Sequence, residues 1–128
     1  VRELVVSEGK DQSTIAASHD GYLRLPGRVT HRRSVTLCPT ALEVVDDLNG
    51  RYRLAIASML LHPEVEVLQL SSQSLELHRG GRVVTLSVDG GFAKVEPAMW
   101  HPEFGRAHET HRIGLTFTTS RLDARLVW

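Results

Sequence analysis

Apolar and polar residues alternate with a period of two along most of this chain. That period belongs to strands, whose successive side chains point to opposite faces. Ile113, Leu115 and Phe117 alternate with Arg112, Thr116 and Thr118, and Leu122, Ala124, Leu126 and Trp128 alternate with Asp123 and Arg125. Leu75 and Leu77 alternate with Ser74, Glu76 and His78, which reads as a half-exposed strand. The run from Leu54 to Leu61 is apolar on both faces, which predicts a central strand covered on each side. No window carries a sustained helical stripe with caps. Ala41 to Leu48 comes nearest, but its Val44-Val45 pair and the turn signals around it favour a strand.

Turn chemistry separates these runs. Asn49-Gly50, Gly80-Gly81 and Asp89-Gly90-Gly91 can supply the positive φ that tight hairpins require. The turn signals recur mostly every 8–12 residues or so, the spacing of sandwich folds. Pro63 lacks an amide donor and disfavours helical geometry at His62, so the strand before it should end there and the chain should turn. The expected fold is all-β: one antiparallel β-sandwich over residues 1–128, with roughly nine to eleven short strands.

Composition removes several classes of partner. Fifteen Lys and Arg balance fifteen Asp and Glu, so no whole-surface attraction draws the chain to nucleic acid or a membrane. A local basic groove is still compatible with that balance. No run of about 18 apolar residues predicts a membrane span. The single Cys38 excludes an internal disulfide framework. The first residue is Val1 rather than Met, which fits a piece cut from a longer polypeptide.

Several short motifs occur in order. His19-Asp20-Gly21-Tyr22 precedes the strand His31-Arg32-Arg33-Ser34-Val35-Thr36-Leu37. Then come Val44-Val45-Asp46-Asp47-Leu48-Asn49-Gly50, Leu61-His62-Pro63, Trp100-His101-Pro102-Glu103-Phe104-Gly105 and the final Leu126-Val127-Trp128. Together, from about Ile15 to Trp128, they resemble the C-terminal β-sandwich region of heparinase II/III-like polysaccharide lyases. The resemblance implies a parent protein that joins this region to an α-helical toroid and to further β-strands. It implies β-elimination of an acidic, uronate-containing polysaccharide, in a bacterial periplasmic or cytoplasmic setting. In that chemistry a uronate carboxylate is neutralised, a base removes the C5 proton and an acid protonates the leaving oxygen. The family's His-x-His pair, its following Asp and its His-Asn-Thr segment have no counterpart here, so zinc and the catalytic groups are expected only in the parent. This chain alone is expected to bring no catalytic residue, no metal site and no activity.

The candidate substrate-binding residues are His19, Tyr22, Trp100 and His101. Each also has a structural reading. His19, Asp20 and Tyr22 can reach substrate, or they can form a strand end in which Gly21 takes a special backbone angle and Tyr22 packs in the core. The second reading is favoured. His31 and Arg33 share one strand face and Arg32 the other, so they cannot form one basic patch; cross-strand ion pairs are favoured instead. Asp46 and Asp47 precede a turn and are expected to cap it. Seven histidines invite a metal, but zinc needs three or four converging ligands and the usual local spacings are missing. His108 and His111 would share a face only on a helix. Trp100 can stack on a sugar beside His101 and Glu103, or it can plug one end of the sandwich together with Phe104. The chain has two Trp, two Tyr and three Phe, so the core needs these rings and the plug is favoured. An apolar surface left bare by a missing partner also offers a homodimer interface.

Overall fold

The structure is a computed structural model that describes residues 3–128. Its elements in chain order are β1 (Glu3–Glu8), β2 (Ser13–His19), β3 (Thr30–Cys38), β4 (Ala41–Asn49), β5 (Ile56–Leu60), β6 (Glu66–Ser71), β7 (Ser74–Arg79), β8 (Arg82–Asp89), β9 (Gly91–Trp100), β10 (His108–Phe117) and β11 (Arg121–Val127). There is no helix among the described residues. All pairings are antiparallel and form two sheets, one ordered β1-β2-β3-β4-β11-β8-β7-β6 and the other β5-β10-β9. The all-β sandwich expected from the alternation is what forms. The last strand is also the joint of the large sheet, because β11 pairs with β4 on one side and β8 on the other.

Period two explains the core. In the large sheet, Leu37 stands opposite Leu42, Leu42 opposite Leu126, Leu126 opposite Leu86 and Leu86 opposite Leu75, so one row of leucines crosses five strands on a single face. A second row runs Val6, Ile15, Val35, Val44, Ala124, Val88. Opposite residues share a face, so both rows lie on the side that meets the second sheet. The core collects only at one end of these rows, where Leu75, Leu86, Val88, Leu122 and Ala124 meet Ala93, Ile113 and Leu115 of the small sheet. At the other end the same face is bare: Leu4, Val6, Ile15 and Leu37 are all more than half exposed.

Three expectations need correction. The run Leu54–Leu61 is not a central strand. Its ordered part, β5, is an edge strand that pairs only with β10. Ala57 and Met59 pack on the core, while Leu54, Ile56 and Leu60 are 65%, 53% and 51% exposed. Apolar residues on both faces therefore reflect an outer face and an edge that nothing among the described residues covers. Asn49-Gly50 and Asp89-Gly90-Gly91 are not hairpin turns either. Both are corners at which the chain leaves the large sheet for the small one. At the second corner Gly90 has φ 75°, and a Cβ at Gly91 would lie 2.2 Å from the Thr116 carbonyl oxygen, so the corner is too tight for a side chain. Gly80-Gly81, with φ 56° and 76°, does form the expected hairpin between β7 and β8. Finally, Asp46 caps no turn; it lies within β4 and is buried. Pro63 behaves as expected, since β5 stops at Leu60 and the Val65 amide closes a turn on the His62 carbonyl.

Candidate functional site

A cavity of about 670 Å³ lies where the small sheet stops, between its edge strand β5 and strands β2, β3 and β4 of the large sheet. Its rim consists of the β2–β3 loop and the link from β4 to β5. Backbone contact sutures the two: the Arg51 amide donates to the Gly27 carbonyl at 2.9 Å, and a Cβ on Gly27 would fall 1.7 Å from the Arg51 carbonyl oxygen. Only glycine permits that approach. The loop itself is a series of turns, with Leu23, Leu25 and Arg28 amides bonded to the carbonyls of Asp20, Tyr22 and Leu25.

The large-sheet wall of the cavity carries a line of polar side chains set by strand register. His19 stands opposite His31, and Arg33 stands opposite Asp46. His31 and Arg33 share a face, as period two requires. The Gly21 amide donates to His19 Nδ1 at 3.3 Å. His19 Nε2 is 3.0 Å from His31 Nδ1, and His31 Nε2 is 2.6 Å from Asp46 Oδ1. Arg33 closes the line, donating from Nε to Asp46 Oδ1 at 2.7 Å and from Nη2 to Oδ2 at 2.9 Å. An amide can only donate and a carboxylate can only accept, so the two ends fix the direction. With one hydrogen on each ring, His19 donates from Nε2 to His31, and His31 donates from Nε2 to Asp46.

Asp46 is 1% exposed, and its charge is held by these partners. Burial alone pushes its carboxyl up, but the hydrogen bonds from Arg33 and His31, with the Arg33 charge, outweigh that and hold it below the usual carboxylate range. The same hydrogen bond to Asp46 pushes the Arg33 guanidinium up, against the opposing effect of burial. The cluster is thus an ion pair in a half-buried setting, with each partner stabilising the charged form of the other.

Of the four candidate binding residues, the structure brings His19 and Tyr22 together, with ring centroids 5.1 Å apart and both residues on the cavity wall. Tyr22 is 47% exposed rather than packed in the core, and Gly21 has no positive φ; Arg28, with φ 50°, is the strained residue of this loop. Trp100 and His101 are elsewhere. Trp100 pairs with His108 at one end of β10, whereas Phe117, on the cavity wall, lies nine residues along the same strand. At about 3.4 Å per residue that is roughly 30 Å. Trp100 is half-buried and its ring contacts those of His62, at 4.9 Å, and His108, at 5.7 Å. His101 is exposed. Phe104 is no plug. It projects fully into solvent from the β9–β10 loop, where Gly105 with φ 79° turns the chain.

Asp46, Arg33 and Arg51 are not legible in the sequence as wall residues of one cavity. A signal for the first was present, since Leu42, Val44, Asp46 and Leu48 form one alternating set, placing a carboxylate on the core face. Arg51 carried no such signal. Among the described residues no group of three or more His, Cys, Asp or Glu could hold a metal ion. The nearest approach, His19, His31 and Asp46, has its ring nitrogens committed to one another and to the Gly21 amide, so zinc does not fit there without breaking the line.

Comparison with solved structures places this architecture. A heparinase III structure superposes with a TM-score of 0.75 at 16% identity, over 98% of this chain and 21% of its own. The heparan sulfate lyase HepC from Pedobacter heparinus superposes with a TM-score of 0.82 at 12% identity, again over 98% of this chain and 21% of its own. The chain thus spans about a fifth of the length of these structures, and at such identities the likeness concerns the fold. No curated protein matches. The model of the family described as heparinase II/III-like, C-terminal, matches residues 2–128. With that match over nearly its whole length, the chain belongs to the heparinase II/III-like family, as its C-terminal domain.

Proposed function

We propose that this chain is the C-terminal β-sandwich domain of a lyase acting by β-elimination on an acidic, uronate-containing polysaccharide. In this reading it packs against the catalytic part of the same polypeptide, an α-helical toroid with further strands, and forms one wall of the substrate groove. The observation that carries it is the half-covered sheet. The apolar face of β1, β2 and β3 and the free edge of β5 flank the same cavity, so a covering partner would close over a wall that already holds His19, Tyr22, His31 and Arg33. A bare apolar face of this kind marks an interaction surface. Its continuation of core rows points to strands from the parent chain. Base, acid and any zinc then belong to the partner, because this chain's own histidine line is saturated by internal hydrogen bonds.

A free-standing carbohydrate-binding module is the weaker reading. A stacking platform needs a bare aromatic face, and Trp100 is half-buried with two histidine rings against it. The test is an assay of the 128-residue chain and of the full-length polypeptide against heparan sulfate and alginate, followed by the ultraviolet absorbance of unsaturated product. Product from the longer polypeptide and none from the chain is the expected result. Turnover by the chain alone, or no product from either, would overturn the reading.

A further inference from the structure

The cavity has more specific content than its position. Its carboxylate and imidazole acceptors are consumed internally: Asp46 takes three hydrogen bonds, from His31 and twice from Arg33, and each imidazole acceptor nitrogen takes one. Tyr52 is also committed, since its hydroxyl donates to the Thr119 carbonyl at 3.2 Å. Among the charged and aromatic side chains, what is left is donor-rich. Among the described residues neither the Arg51 guanidinium nor the Tyr22 hydroxyl has a hydrogen-bond partner or an ion pair, and both residues line the cavity. Arg33 keeps donors beyond those aimed at Asp46. With Arg33 and Asp46 cancelling, Arg51 leaves the wall with one uncompensated positive charge. The remaining lining is largely apolar, from Leu25, Leu48, Leu54, Ile56 and Phe117. A volume near 670 Å³ lies within the roughly 300–1,000 Å³ of small-molecule sites.

A wall of donors with one spare cation and apolar flanks suits a ligand that is a compact ring bearing one anionic group. We propose that the cavity is a subsite for a single uronate residue, its carboxylate on Arg51 and its ring face against Tyr22. This rests on the acidic-polysaccharide reading above and assigns it to particular residues. Arg51 is suited to the task because its planar fork can meet both carboxylate oxygens at once. The His19–His31–Asp46–Arg33 line is then a positioning device. It ties the β2–β3 loop, through the Gly21 amide, to the sheet and so holds Tyr22 over the cavity.

The test is titration of the isotope-labelled chain with glucuronate, glucose and inorganic sulfate, following backbone amide signals, with thermal melting as the control for folding. Glucuronate should shift the signals of Arg51 and of the loop around Tyr22, and glucose should bind roughly tenfold or more weakly. Arg51→Gln should weaken glucuronate binding by a similar factor, Arg51→Lys should restore part of it, and Trp100→Ala should leave it unchanged. Equal binding by Arg51→Gln and wild type, equal binding of glucose, or sulfate matching glucuronate at the same residues would each overturn the subsite. Failure here is distinct from failure of the function. If the full-length polypeptide forms unsaturated product while Arg51→Gln binds glucuronate normally, the subsite falls and the lyase reading stands. If glucuronate binds as described but no acidic polysaccharide is cleaved, the subsite holds as a binding site and the lyase reading falls.

Discussion

The two halves of the large sheet carry the same kind of face and meet different fates. Leu37 and Leu86 belong to one cross-strand row, yet Leu37 is 52% exposed and Leu86 is fully buried. Val6 and Val88 repeat the contrast along the neighbouring row, at 58% and 5%. What differs is the small sheet, which lies over β11, β8 and β7 and ends at β5. Strand patterning thus reports which face is meant to be covered, not whether the cover is present in the same stretch of chain. The cavity occupies the boundary between the halves, and there the face turns polar.

Truncation should separate the halves most sharply. Leu86→Ala should cost about 2–5 kcal/mol, as deletions in closed cores do, while Leu37→Ala should stay within about 0.5 kcal/mol. Urea unfolding of the two variants measures this directly. A cost at Leu37 approaching that at Leu86 would mean that the bare half is already covered, for instance by a second copy.

The boundary should respond next. Asp46→Asn should cost about 2–3 kcal/mol, less than a fully enclosed pair because Arg33 is nearly half exposed. Its pH dependence follows from the direction of the shift. Asp46 titrates lower in the folded than in the unfolded state, so its contribution is complete above the unfolded value of about 3.9 and vanishes as pH falls through the folded one. The melting-temperature gap between wild type and Asp46→Asn should therefore close as pH falls below about 4. A gap that widens in acid would show that Asp46 is not held ionised.

Smaller effects test the bare half itself. Ile15→Lys should leave stability within about 0.5 kcal/mol and suppress any self-association through this face, read by light scattering across a concentration series. In the full-length polypeptide the same change should weaken docking of the catalytic part. Least affected should be Phe104→Ser, within about 0.5 kcal/mol in melting experiments, because the ring contacts solvent alone. A larger loss would restore the plug that the structure denies it.

Much of this molecule was legible in its residues. Alternation at Ile113–Phe117 and Leu122–Leu126, Gly80-Gly81 at a hairpin and Pro63 beyond a strand end all rest on local sterics and a period of two, which act wherever the chain goes. The motifs from His19 to Trp128 likewise pointed to the family. Sheet membership was not legible. Asn49-Gly50 and Asp89-Gly90-Gly91 have hairpin chemistry, but whether a tight turn folds a strand back or sends it to another sheet depends on partners far along the chain. For the same reason Leu54–Leu61 could be recognised as a strand but not as an edge. The site divides in the same way. That His31 and Arg33 face together is a property of one strand. That His19 and Asp46 are their neighbours is a property of register across β2, β3 and β4, and that Arg51 stands beside them depends on a glycine contact between two loops. Local geometry was therefore determined by the sequence alone, while the tertiary structure decided which of its polar residues share one wall, because only closure of the sheets brings residues distant in the chain within hydrogen-bond reach.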